Sequence, residues 1–236
     1  AFPEAISSIR ERHLLGGLGY TYNTLNDRNF PTDGSEIYAA AEGVFDNQFR
    51  VLLSEDDEQE QEILDNIVDD VTPGFYTQFL LKAQSYRTLG PKTQIKPYGA
   101  LGFTIASADT GLFLRPFQLG GYQRRFIEDI RAYGLNYSEV NEVNVGVFGV
   151  ELQQILWDNI FVKAGGNIYS SYPFLPISKL DQFDFDILDE GMGFGYGAEL
   201  RIRTRLGPVA GGISTNTADG YLRYYFALGF SFNYSD

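Results

Sequence analysis

Hydrophobic and polar positions alternate along most of this chain. The clearest case is its end, where Leu222, Tyr224, Phe226, Leu228, Phe230, Phe232 and Tyr234 share one parity and Arg223, Tyr225, Ala227, Gly229, Ser231 and Asn233 the other. Strand side chains point alternately to opposite faces, so this segment predicts a ribbon with one aromatic and aliphatic face and one small or polar face. The period recurs upstream. Leu14, Gly16, Leu18, Tyr20 and Tyr22 share a parity, as do Ile37, Ala39, Ala41, Gly43 and Phe45. Further strands are predicted over Phe75–Ala83 and Ile95–Ile105, and over roughly 111–119, 140–153, 159–170, 193–205, 208–215 and 221–234. On the eighth of these ten, Glu199, Arg201, Arg203 and Arg205 oppose Phe194, Tyr196, Ala198, Leu200 and Ile202. Consecutive charges on one strand face require water or partners.

A strand that crosses a bilayer takes roughly 9–11 residues, apolar toward lipid and polar toward the lumen. The pattern therefore predicts an all-β fold: an antiparallel transmembrane β-barrel of about ten strands. It forms one domain over 1–236, with 1–12 as an N-terminal segment. Short turns are marked by Leu89-Gly90-Pro91, Ser107-Ala108-Asp109-Thr110-Gly111, Trp157-Asp158-Asn159, Leu206-Gly207-Pro208 and Thr217-Ala218-Asp219-Gly220. Long connections cover about 46–74, 120–138 and 171–190. Counting ten strands back from a periplasmic C-terminus puts 120–138 and 171–190 outside but 46–74 on the periplasmic side, where turns are short. Either a further strand pair lies near Gln48–Leu53 or that insertion is unusual. The insertion is acidic between Glu55 and Asp70, and Ile63, Leu64, Ile67 and Val71 recur at helical spacing, which predicts a short amphipathic helix. Its carboxylates read as a solvated or partner-docking face; a Ca²⁺ site is the alternative, without the spacing of an EF-hand loop.

Composition narrows the class. Mean hydropathy is -0.19. No run of about 18 apolar residues offers a transmembrane helix. The net charge of -13 lacks the basic footprint of nucleic-acid binding. With no cysteine the chain is compatible with an oxidising compartment, and with Met192 as its single methionine, Ala1 reads as a mature N-terminus after signal removal. Chemistry is sparse. His13 is the one histidine, a strand residue, and Ser7, Ser8 and Ser214 lack the context of an activated nucleophile. Gly-Gly pairs at 16–17, 120–121, 165–166 and 211–212 do not lead into helices, so they are not phosphate loops. No catalytic, cofactor or metal residues are predicted.

The segment Ala227-x-Gly229-x-x-Phe232-x-Tyr234 resembles the C-terminal signal by which the barrel-assembly machinery recognises its substrates, with Ser235 and Asp236 added after the final aromatic. Leu18–Thr24 followed by Asn29–Gly34 is similar to a strand, outer loop and strand start of the outer-membrane assembly and two-partner-secretion transporter superfamily. Pro116–Gly121 followed by Ile130-Arg131-Ala132-Tyr133-Gly134 resembles its strand end and inward-folded loop, with Ala132 in place of a glycine, and Leu206–Val209 resembles a turn before its last strands. Within that superfamily of bacterial surface antigens, the barrel of patatin-like outer-membrane proteins is most similar in flavour.

The resemblance implies residence in the bacterial cell outer membrane, with lipid, the assembly machinery and protein partners in an outer-membrane complex as contacts. It implies a loop folded into the lumen, Arg131 and Tyr133 at its tip, meeting Glu199, Arg201 and Arg203 on one wall and Glu142 or Glu151 on another. No lipase domain accompanies the barrel motifs. The function expected is a non-enzymatic membrane anchor or scaffold subunit. The alternatives are a narrow translocation pore and a barrel-embedded hydrolase using His13.

Overall fold

The computed structural model describes residues 6–27, 29–53, 58–72, 74–106, 114–121, 130–172, 191–205 and 207–229. Its strands are β1 (Ile6–Asn23), β2 (Gly34–Leu53), β3 (Phe75–Gly90), β4 (Thr93–Ala106), β5 (Phe117–Leu119), β6 (Val140–Glu142), β7 (Asn144–Trp157), β8 (Ile160–Tyr172), β9 (Met192–Thr204), β10 (Gly207–Asn216) and β11 (Arg223–Leu228), with one helix, α1 (Glu58–Val71). Among the described residues nine strands form one antiparallel sheet in the order β1-β2-β3-β4-β7-β8-β9-β10-β11, a meander in which each strand pairs with its neighbour in sequence within the wall. This is an outer-membrane-type β-barrel fold.

The alternation sorts the two faces. Leu18, Tyr20, Leu101, Phe103, Phe148, Leu152, Ile168, Phe194, Tyr224 and Phe226 stand exposed on the outer parity. Gln78, Lys82, Lys96, Glu151, Gln153, Lys163, Asn167 and Glu199 are buried on the inner parity. A soluble protein buries its apolar residues and exposes its charges; the inversion here is that of a wall with lipid outside.

Two strand expectations are corrected. The segment at 111–119 is not a wall strand: β4 pairs directly with β7, and 117–119 instead pairs with 140–142 in a separate two-stranded ribbon. Residues 107–113, with the turn expected at 107–111, lie outside the described residues. The segment at 140–153 divides accordingly into β6 and the start of β7. Short alternating runs specify a strand but not the sheet it joins, and here the ribbon belongs to the β4–β7 connection.

Losing one wall strand reverses the side on which every earlier connection falls. The β3–β4, β7–β8 and β9–β10 connections share one end, together with the β1–β2 connection. The β2–β3, β4–β7, β8–β9 and β10–β11 connections share the other. The acidic insertion thus sits at the long-loop end, opposite to the ten-strand count, and 24–33 sits at the short-turn end although its motif resembles an outer loop. No extra strand pair hides at Gln48–Leu53: β2 continues there against the start of β1, past a bulge where Asp46 has φ 51°. Helix α1 caps this protruding hairpin. Val68 is buried, and Gln61 Nε2 donates to the Val51 carbonyl at 2.8 Å.

Phe148 tests the orientation of the wall. A cation on the lipid face near mid-bilayer costs about 2–4 kcal/mol. Phe148→Arg should therefore lower the folding equilibrium into lipid vesicles by that amount, read by heat-modifiable gel mobility; an unchanged equilibrium would place the outer parity in water.

Candidate functional site: a charged cluster inside the barrel

Within the β4–β7 connection, residues 117–121 and 130–135 turn back into the barrel. Their apolar side chains Leu119, Ile130, Ala132 and Leu135 pack with Phe117 against the inward side chains Leu80, Val145, Val147 and Tyr169. Backbone bonds fix their path: Ile130 N–H donates to the Gln118 carbonyl at 2.9 Å, and Gly120 N–H returns to the Ile130 carbonyl at 2.9 Å. Two glycines make room for the tip. Gly134 has φ 78°, a conformation that side chains disfavour, and Gly195 on β9 lets the Tyr133 carbonyl approach where any Cβ would collide. Asn216 Nδ2 donates to the Gly134 carbonyl at 2.7 Å, and Tyr133 N–H donates to Asn167 Oδ1 at 2.6 Å.

This path delivers Arg131 to mid-barrel. Its Nη2 lies 3.0 Å from Glu151 Oε1 and 3.5 Å from Glu199 Oε2, and it donates to the Tyr133 hydroxyl at 3.1 Å. Tyr133 in turn donates to Glu151 Oε1 at 2.9 Å. Lys96 Nζ reaches the other Glu151 oxygen at 2.6 Å, and Arg201 Nε pairs with Glu199 Oε1. Both carboxylate side chains are fully buried. Lys163, also buried, faces the ring of Tyr86 with its Nζ 5.7 Å from the centroid, and Lys96 lies 4.8 Å from the centroid of Tyr98. Four cations therefore surround two carboxylates, tied to four wall strands (β4, β7, β8 and β9) and one loop.

Of the residues expected at this contact, Arg131, Tyr133, Glu151, Glu199 and Arg201 meet. Glu142 does not: it sits on β6 opposite Phe117, in the ribbon and away from the cluster. Arg203 also lies elsewhere. It is half-exposed near the short-turn end, where its Nη2 pairs with Asp27 Oδ2 at 2.8 Å and its guanidinium stacks 4.7 Å from the Phe30 ring centroid. The 24–33 connection thus folds over that end. Phe30 is buried against Phe161 at 4.8 Å, and the Pro31 carbonyl accepts from Gln153 at 3.0 Å. Lys96 and Lys163 escaped the sequence reading. Each is an isolated charge on the polar parity of an otherwise alternating strand, and that isolation was the available signal.

At the long-loop end Arg223 pairs with Glu139 and with Asp219, both at 2.6 Å, tying the β4–β7 connection to the last hairpin. The Arg223 hydrogen bond, aided by the Tyr221 backbone N–H, holds the Asp219 carboxyl down at about 2. In the C-terminal signal, Ala227 pairs with Ala210, and Gly229 (φ 101°) closes the strand by donating to the Pro208 carbonyl at 3.0 Å. Phe232 and Tyr234 lie outside the described residues. Among the described residues no group of His, Asp and Glu side chains is arranged to hold a metal ion. His13 is exposed on β1 and Ser214 is buried on the inner face of β10.

No family model matches the chain, and no curated protein sequence does. Among solved structures it is similar to BamA from Haemophilus ducreyi lacking POTRA domains 1–3, with a TM-score of 0.54 at 16% identity. The match covers 89% of this chain and 41% of that one. The chain shares the fold of an outer-membrane assembly barrel. It spans less than half the length of that neighbour.

Arg131→Ala would leave two buried carboxylates short of a cation, a loss that typically costs about 3–5 kcal/mol. The variant should lose heat-modifiable folded protein at a clearly lower temperature than wild type, and Glu199→Gln added to it should recover part of the loss. A variant that melts like wild type would place the guanidinium outside the cluster.

Proposed function

We propose that this chain is a non-enzymatic β-barrel unit of the bacterial outer membrane, serving as an anchor or scaffold subunit within a larger outer-membrane complex. The observation that carries this reading is the occupancy of the inner wall by the chain's own parts. The 130–135 loop enters from the long-loop end and the 24–33 connection from the other, each fixed by ion pairs and apolar contacts. Among the described residues, the buried interior carboxylates Glu151 and Glu199 are engaged by cations, which supports a structural use of the interior over acid–base chemistry.

The lipid-facing parity supports membrane residence, and the short turns at a single end support an orientation with that end in the periplasm. The acidic helix α1 then stands on the outer side, available to a partner. Ala227, Gly229, Phe232 and Tyr234 would act once, as the signal read by the assembly machinery. The motifs also fit the barrel of patatin-like outer-membrane proteins, in which a barrel serves an attached domain.

A narrow translocation pore is the second reading, and one observation favours it. A recess of about 380 Å³ lies inside the β1–β2 hairpin, bordered by Gly17, Gly19, Tyr38, Glu42 and Arg115. Planar-bilayer recording separates the two. The anchor reading predicts no stable, ion-selective conductance from the native assembly; steady conductance of that kind would replace it with the pore.

A further inference from the structure

Lys163 is the member of the charged cluster that its carboxylates do not serve. All four carboxylate oxygens already face other cations: Glu151 Oε1 and Glu199 Oε2 face Arg131, Glu151 Oε2 faces Lys96, and Glu199 Oε1 faces Arg201. Lys163 projects from β8 opposite Glu199 and diagonal to Arg201, and on its other side stands opposite Gln153. It is 2% exposed. Among the described residues its ammonium makes no hydrogen bond and no ion pair; its contact is the ring of Tyr86.

Tyr86 is in the same position. It is 3% exposed, its ring centroid lies 5.7 Å from both Lys96 Nζ and Lys163 Nζ, and its hydroxyl makes no hydrogen bond among the described residues. Burying a donor, above all a charged one, is costly unless an acceptor meets it. The protein offers one unspent acceptor alongside, the buried Gln153 Oε1. A neutral amide oxygen can take one of three ammonium protons, but it leaves the charge unanswered. The cluster as a whole carries the same imbalance, with Lys96, Arg131, Lys163 and Arg201 set against Glu151 and Glu199 alone. Donors without acceptors and cations without counter-charge ask for one kind of ligand, a small anion that only accepts.

We propose that a monovalent inorganic anion of the halide class binds inside the barrel against the Lys163 ammonium and the Tyr86 hydroxyl, with Arg201 flanking it. A halide accepts from any direction, so it suits donors brought together by strand register without a planar fork. It also sheds its water at less cost than dianionic phosphate or sulfate, which matters in a place enclosed by side chains of β3, β8 and β9. Only the folded chain assembles these donors, so the bound anion stabilises the folded barrel in step with its concentration. The site goes beyond the anchor reading and stands equally in a pore, so its test leaves the conductance experiment to separate those two.

Folded protein extracted in detergent from its native membrane is melted in sodium bromide and in sodium gluconate at matched ionic strength. Bromide should raise the wild-type transition in a saturating manner, and should raise that of Lys163→Met no more than gluconate does. Tyr86→Phe keeps the ring and the cation. It should need about tenfold more bromide for the same rise, as loss of one hydrogen bond to a charged group implies. Crystals grown in bromide should show an anomalous peak beside Lys163 Nζ. If Lys163→Met does not fold, Tyr86→Phe and the wild-type peak carry the test. Equal melting of the wild type in the two salts, a bromide rise kept in full by Lys163→Met, an unshifted bromide requirement in Tyr86→Phe, or no peak at Lys163 overturns the proposal. A peak without any rise in solution marks an adventitious ion only and overturns it as well.

Discussion

The interior hangs on two buried carboxylates, Glu151 and Glu199. An isolated carboxylate in such a place would be untenable, because its desolvation exceeds anything packing returns. Each is made tenable by cations from different parts of the chain: Lys96 from β4, Arg201 from β9 and Arg131 from the loop. The wall therefore needs the loop as much as the loop needs the wall. Arg131 suits the joint because one planar fork can serve both carboxylates and lie against the Tyr133 ring, which a lysine at that position could not do.

The glycines and the backbone bonds follow from that requirement. Bringing a guanidinium to mid-barrel means threading a loop against strand backbone, and this is possible only where Gly195 presents no side chain and Gly134 adopts a positive φ. The apolar residues flanking Arg131, namely Ile130, Ala132 and Leu135, then bury against Val145, Val147 and Tyr169, so the charge arrives with its own hydrophobic seat. Ala132 stands where the resembled motif has glycine, and its methyl group is accommodated fully buried in this cluster.

Much of the wall was legible in the sequence because a bilayer imposes a strict period. Within the described residues, Leu222 to Leu228 and the charged run Glu199, Arg201 and Arg203 announce two faces without any tertiary information. What period cannot convey is which strands are neighbours. Residues 117–119 are a true strand, yet they pair with 140–142 in the connection, and that single misassignment put the acidic insertion at the wrong end. The cluster was legible only in part for a similar reason. Arg131 stood out by motif and Glu199 by its charged strand, whereas Lys96, Lys163 and the Asp27–Arg203 contact depend on the curvature that carries distant strands and a turn to one place. Glu142 and Glu151 were equivalent by type; the bend between β6 and β7 separates them.

Residues 117–121 and 130–135 are fixed parts of the barrel and not solvated loop, and amide hydrogen exchange tests this most directly. The N–H groups of Gly120, Gly121, Ile130 and Tyr133 donate to Ile130, Leu135, Gln118 and Asn167. They should exchange as slowly as the paired amides of β7 and β8. Exchange at the rate of the exposed 217–222 connection would contradict the account.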